Sequence, residues 1–373
     1  MTNLPLLKIA KDMALSISLP FEDSYCYTHQ LQELLINSSS AQVRLDINIV
    51  FINNDSRLFF FSSTYYTHLN SVTVYDLGSL MEAYMLQTNN CLTIFEITAT
   101  AGEESDIKTL TVVYCKQNRQ GISASELLNS RFLTNRTTRL TYLSATEHLS
   151  FFRGLTTGIV SNTVSVKFIC FYQFPTGGIA TRTFYIHYII GRGSIGSIYV
   201  NPSANVSGQY IPTNASLIAY TVKTGKFKAK FYVSQQTDIR TFVFHNAYNV
   251  REYLNIPTNR TTKTTTKSST ARYGSLTEKY DIEHTRTYEE QTTVHTLEDA
   301  ALVEEFLLSP SVKVVIKGTE YDILITDYTF EVSDNPGTGN TVKFEWQFAD
   351  SRNTLPTDEY QRIFQEEYQE QFQ

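Results

Sequence analysis

Residues 261–272 are almost wholly Thr, Ser and Lys, with Arg260 before them and Gly274-Ser275 just after. Such a stretch offers no apolar stripe to bury as a helix and no apolar face to bury as a strand. It must be either a solvated linker or a segment held by backbone pairing. Threonine favours the pleated backbone and a Gly-Ser pair can turn it, so the preferred reading is a hairpin ribbon. The returning stretch, 279–294, is acidic where the outgoing one is basic. Arg260, Lys263, Lys267 and Arg272 are then set against Glu278, Asp281, Glu283, Glu289 and Glu290. Opposite charges across an antiparallel pair contribute roughly 0.2–1 kcal/mol each, which supports register more than stability. A long polar ribbon can extend a neighbour's sheet, with Lys263, Lys267, Glu278 and Asp281 as its predicted interaction residues.

The rest of the chain is richer in strand formers. It has 24 Tyr and 23 Phe but only 18% charged residues, a balance suited to half-buried pleated surfaces. At 373 residues it is too long for one ordinary domain. The expected fold is mainly β, with two to three sandwich-like domains, a few short helices and a C-terminal amphipathic helix. The expected division is 1–117, a β-sandwich with one helix; 118–245, a second β-rich domain; 246–355, the ribbon plus a helix and strands; and 356–373, a helical arm.

Local patterns give the elements. Val43, Leu45, Ile47 and Ile49 alternate, as do Leu92, Ile94, Phe95 and Ile97 with one slip. Asp76 opens a helix to about Gln87 that places Leu77, Leu80, Met81 and Tyr84 on one face. Capping-box spacings at Ser123/Glu126 and Ser144/Glu147 predict two short helices. Strands are expected at 163–174, 181–190, 194–200, 215–221 and 226–233, joined partly by hairpins. Thr296, with Asp299 as its partner, caps a helix burying Leu302, Val303, Phe306 and Leu307 before Pro310. Strands at 312–316, 321–332 and 341–348 follow, the last with Trp346 facing inward beside Phe344 and Phe348.

The final segment carries Tyr360, Phe364, Tyr368 and Phe372 at four-residue spacing, with Asp358, Glu359, Glu366, Glu367 and Glu370 against Arg362. A short terminal helix is marginal alone in water, so it needs a docking surface. That surface is either its own domain or a partner's groove, with Tyr360, Phe364 and Tyr368 as the latch.

Catalytic signatures are missing from the sequence. Gly191-Arg-Gly-Ser-Ile-Gly196 matches a dinucleotide fingerprint, but strand-like Ser197-Ile-Tyr-Val follows where a helix N-terminus is required, so a Gly-rich hairpin is expected. The seven histidines show no metal-ligand spacing, and no nucleophile elbow or Walker loop occurs. Cys26, Cys91, Cys115 and Cys170 lie in apolar surroundings without a CxxC pair and read as buried free thiols. The first residues do not read as a signal peptide, and no stretch approaches the ~20 apolar residues of a spanning helix. The five sequons read as compositional. A net charge of −6 argues against a generic nucleic-acid binder while leaving a local basic patch open. The expectation is a protein that is not an enzyme and carries no cofactor.

Several segments recur together in order: Leu149-Ser-Phe-Phe-Arg-Gly154, Asn246-Ala-Tyr-Asn249, the Thr/Lys strand, Tyr288-Glu-Glu-Gln-Thr-Thr293, 297–308, 321–332 and Thr341-Val-Lys-Phe-Glu-Trp346. Over about residues 140–350 this arrangement resembles uncharacterised virion or prophage structural proteins of tailed phages from gut anaerobes. The resemblance implies a tail, baseplate or connector role in the virion, reached through the host cytoplasm during assembly. The implied partners are further copies, in a ring-like homo-oligomer, and neighbouring virion proteins. The rival reading is a carbohydrate-binding adhesin or receptor-binding tail protein that contacts a host-surface glycan.

Overall fold

The computed structural model describes residues 14–350 except 22–23, 52–55, 119–120, 155–161, 192, 203–211, 213, 295 and 332–339; at 280–284 and 297 it describes the backbone only. Among these residues the fold is mainly β, with five sheets and three α-helices.

The first sheet pair uses β1 (Ser16–Ser18), β2 (Tyr25–Tyr27), β3 (Glu33–Asn37), β4 (Gln42–Val50), β5 (Arg57–Tyr66), β6 (Ser71–Tyr75), β7 (Leu92–Ala101) and β8 (Glu104–Val113). A five-stranded sheet in the order β2-β8-β7-β4-β5 accompanies a three-stranded one, β1-β3-β6. Val43, Leu45, Ile47 and Ile49 share one buried cluster with Leu34, Ile36, Phe95 and Ile97. The expected slip in β7 does not occur. Its alternation is unbroken, with Thr93, Phe95, Ile97 and Ala99 buried, while Leu92 packs against a separate cluster with Cys91 and Val113.

The helix α1 (Leu77–Gln87) buries Leu77, Gly78, Met81 and Met85, with Tyr84 partly buried against the same cluster; of the expected face only Leu80 is exposed. Gly78 turns the face. A Cβ there would lie 2.1 Å from the Thr28 carbonyl oxygen, so only glycine lets the helix meet that backbone.

The second block contains α2 (Ala124–Ser130), β9 (Thr138–Tyr142), β10 (Glu147–Arg153), β11 (Thr163–Gln173), β12 (Ile179–Ile189), β13 (Ser194–Val200), β14 (Ser216–Thr224) and β15 (Phe227–Ser234). Ser123 caps α2 by accepting from the Glu126 N–H at 3.1 Å. No helix forms at Ser144. Glu147 instead opens β10, and its carboxylate is engaged by Arg139 and Thr141. The sheet β12-β11-β14-β15-β9 and the pair β10-β13 share a core of Phe168, Tyr220, Phe231, Leu149, Phe151 and Ile198. The glycines at 191–196 do not form a hairpin, because β12 and β13 belong to different sheets. They carry the crossing, and a Cβ on Gly196 would come within 2.8 Å of Ile190.

The third block holds a seven-stranded sheet, β17-β16-β20-β21-β22-β19-β18. Its strands are β16 (Arg240–His245), β17 (Arg251–Ile256), β18 (Asn259–Tyr273), β19 (Leu276–Val294), β20 (Val312–Ile316), β21 (Thr319–Phe330) and β22 (Asn340–Phe348). The sheet thus begins at Arg240, ahead of the expected boundary at 246. Thr296 caps α3 (Leu297–Leu307) by accepting from the Asp299 N–H at 3.0 Å. Leu302, Val303, Phe306 and Leu307 are buried, and the Phe306 ring lies 5.2 Å from Phe242 and 5.3 Å from Phe344. Trp346 is fully buried in the same cluster.

Candidate interaction surfaces: the ribbon, its root and the junction

The ribbon forms as expected from its threonines. β18 and β19 pair antiparallel from Asn259↔Gln291 to Tyr273↔Leu276, with Gly274 at φ 61° in the turn. β22 pairs with β19 only from Tyr288 to Val294. Beyond that point the hairpin continues without a third strand among the described residues. From Thr264 to Tyr273 β18 extends this way, a reach of roughly 33 Å at about 3.3 Å per residue. Among the described residues both edges of this arm present unpaired backbone, the usual template for strand addition. Its tip is apolar, with Tyr273 91% and Leu276 60% exposed.

Two charge clusters fix the root. On the buried side Glu290 accepts from Arg260 Nε and Thr258 Oγ1, each at 2.5 Å, and from Trp346 Nε1 at 3.3 Å. The Arg260 guanidinium also lies 5.5 Å from the Trp346 ring and 5.9 Å from Tyr288. On the opposite side Lys263 bridges Glu289 and Glu345, both at 2.5 Å, and Lys343 meets Glu289 at 2.8 Å. Hydrogen bonds from Lys263 and Lys343 hold the Glu289 carboxyl down at about 2. The same bonds raise the Lys263 ammonium.

Lys263 therefore sits at the root, engaged within the chain, with Thr287 opposite it in register. Lys267 lies opposite Glu283, next to a bulge, while Glu278 opposes Ala271 on the free arm. Asp281 belongs to β19 by its backbone. Arg272 faces Thr277 rather than a carboxylate. Tyr360, Phe364 and Tyr368 lie outside the described residues. Trp346, buried under Arg260 and Tyr288, is withdrawn from any sugar-stacking surface.

Sequence reasoning missed the junction of the three blocks. Arg139, fully buried, reaches Glu252 at 2.5 Å, Glu147 at 3.4 Å and Thr134 at 3.0 Å. Thr134 and Asn246 complete the shell of Glu252, and Thr141 and Asn255 that of Glu147. Burial pushes the Glu147 carboxyl up, and Arg139 and its hydrogen bonds pull it back. Beside it Arg136 pairs with Asp299 on α3. The turn Asn246-Ala-Tyr-Asn249 binds all three blocks: Asn249 donates to the Met85 and Asn90 carbonyls, Tyr248 to Asn135, and the Ala247 N–H to Glu305. Only the quoted turn hinted at this in sequence, since partners 100 residues apart leave no local pattern.

Two cavities flank the turn, of about 490 Å³ beside Glu82, Lys116, His245 and Glu305, and about 320 Å³ beside His148, Tyr199 and His245. Burial pushes His148 down to about 4, and burial also lowers His245. Burial also pushes the Cys91 and Cys115 thiols up to about 12, away from the thiolate form. Among the described residues no group of three or more His, Cys, Asp or Glu could hold a metal ion. No family model matches the chain, and no curated protein matches it in sequence.

Proposed function

We propose that this protein is a structural component of a phage virion, placed in the tail, baseplate or connector and acting by self-assembly and contacts with neighbouring virion proteins. The observation that carries the reading is the two-stranded arm, which leaves the seven-stranded sheet with both backbone edges unpaired among the described residues. Its outgoing strand is cationic, through Lys267 and Arg272, and its returning strand carries Glu278, Asp281 and Glu283 against Lys279 and Arg286, a small acidic excess. One copy's basic edge therefore complements the next copy's acid-bearing edge. Such a head-to-tail contact is heterologous and closes into a ring when the rotation permits. Main-chain hydrogen bonds supply affinity, and the charges set register.

The test is light scattering and negative-stain microscopy of the full chain and of a variant with 264–285 replaced by a short Gly-Ser turn. The expected result is discrete oligomers for the full chain and monomers for the shortened one, both with intact Trp346 fluorescence. Immunogold labelling of particles should then mark the tail. Unchanged assembly without the arm, or particles blank on a denaturing blot, would overturn the reading. Glycan binding by the monomer would favour the adhesin instead.

A further inference from the structure

From His148 to Thr237 the chain has eight Lys and Arg and no Asp or Glu, although the whole carries −6. The fold concentrates this imbalance. Lys167 stands directly opposite Tyr185 on β12 and Lys223 on β14, and Lys223 stands opposite Lys228 on β15. Three lysines thus stand in one row across adjacent strands, roughly 4.8 Å apart at their backbones. Lys230 lies two residues beyond Lys228 on the same face. None of the four has a carboxylate partner among the described residues. Like charges directly opposite one another disfavour the folded sheet, so this row weakens the face unless an anion covers it.

Aromatic rings flank the lysines. Tyr185 is 57% and Tyr232 46% exposed, and each has a lysine ammonium over one side, Lys167 at 6.0 Å and Lys230 at 4.4 Å. About half of each ring stays exposed, which is area a flat ligand can cover. The chemistry is that of a surface combining phosphate-tracking cations with rings on which bases stack.

We infer that the outer face of the sheet β12-β11-β14-β15-β9 binds single-stranded nucleic acid. Duplex is the poorer fit, because its bases are hidden from Tyr185 and Tyr232. An acidic polysaccharide would satisfy the lysines but has no aromatic bases for the rings. This inference is independent of the ribbon and of its role in assembly.

The test is fluorescence polarisation of the full chain with fluorescein-labelled oligo(dT), competed with duplex DNA and with alginate. Four lysines predict a log–log salt slope of about −2.8, a fall of about fifty-fold between 50 and 200 mM salt. Replacing Lys223 and Lys228 with Gln should flatten the slope by about 1.4. The melting temperature of that variant should hold or rise, since repulsion is removed. Tyr185→Ala with Tyr232→Ala should weaken binding about five-fold or more per ring and leave the slope unchanged. Absence of binding at 50 mM salt overturns the inference. So does equal competition by alginate or duplex with no effect of the tyrosines.

Discussion

Arg139 and Glu252 meet at 2.5 Å across the boundary between the second and third blocks, both fully buried. The same guanidinium faces Glu147, so one cation serves two buried carboxylates. Removing it leaves both uncompensated. Arg139→Met should cost about 3–5 kcal/mol, the usual penalty for breaking a buried ion pair, seen in the earliest urea transition. Protonation would relieve the loss. A carboxyl whose folded pKa is raised, as burial does at Glu147, binds more protons folded than unfolded. Stability of the variant should therefore fall as pH rises above about 4.3, the unfolded carboxyl's value.

His148 should give the whole protein the opposite slope. Its imidazole is pushed down to about 4 by burial, with Arg251 and Arg139 opposing its charge. The unfolded chain, near 6.5, binds the proton first. The contribution is then complete above about 6.5 and is lost as pH falls towards 4. Melting temperatures recorded between pH 7 and 4 should drop less steeply in His148→Gln than in the parent.

Arg260 supports the root of the ribbon, where Glu290 is held against Trp346. Arg260→Ala leaves that carboxylate buried without its cation and should destabilise by about 3–5 kcal/mol. As the only tryptophan, Trp346 reports the change directly, by red-shifted emission at lower urea. If the emission midpoint stays put, the arm is anchored by backbone pairing alone.

What the sequence made legible is what local chemistry decides. Threonine preference and Gly274 produced the ribbon, the Thr296 cap produced α3, and alternation around Trp346 placed the ring in the core. Ser144 and Glu147 failed as a helix signal because the competing partner, Arg139, lies on another strand. The lysine face was half visible, as 90 residues without a carboxylate. Its convergence depends on the turn at 225 between β14 and β15 and on the long-range pairing of β11 with β14, which composition cannot express.

Gly78 shows the same limit from the opposite direction. Helix propensity alone says that Gly78→Ala should stabilise α1 by about 1 kcal/mol. The added methyl would instead meet the Thr28 carbonyl oxygen at 2.1 Å, and the atom in its way is backbone that cannot rotate aside. The Gly78 N–H also donates to the Leu31 carbonyl at 2.8 Å, so the helix cannot withdraw without breaking that bond. Overpacking of about 1–3 kcal/mol should exceed the propensity gain. Gly78→Ala should thus lower the melting temperature, whereas Ser79→Ala, exposed on the next position of the same helix, should hold or raise it. Equal gains at both positions would mean that α1 stands off from Thr28 in solution.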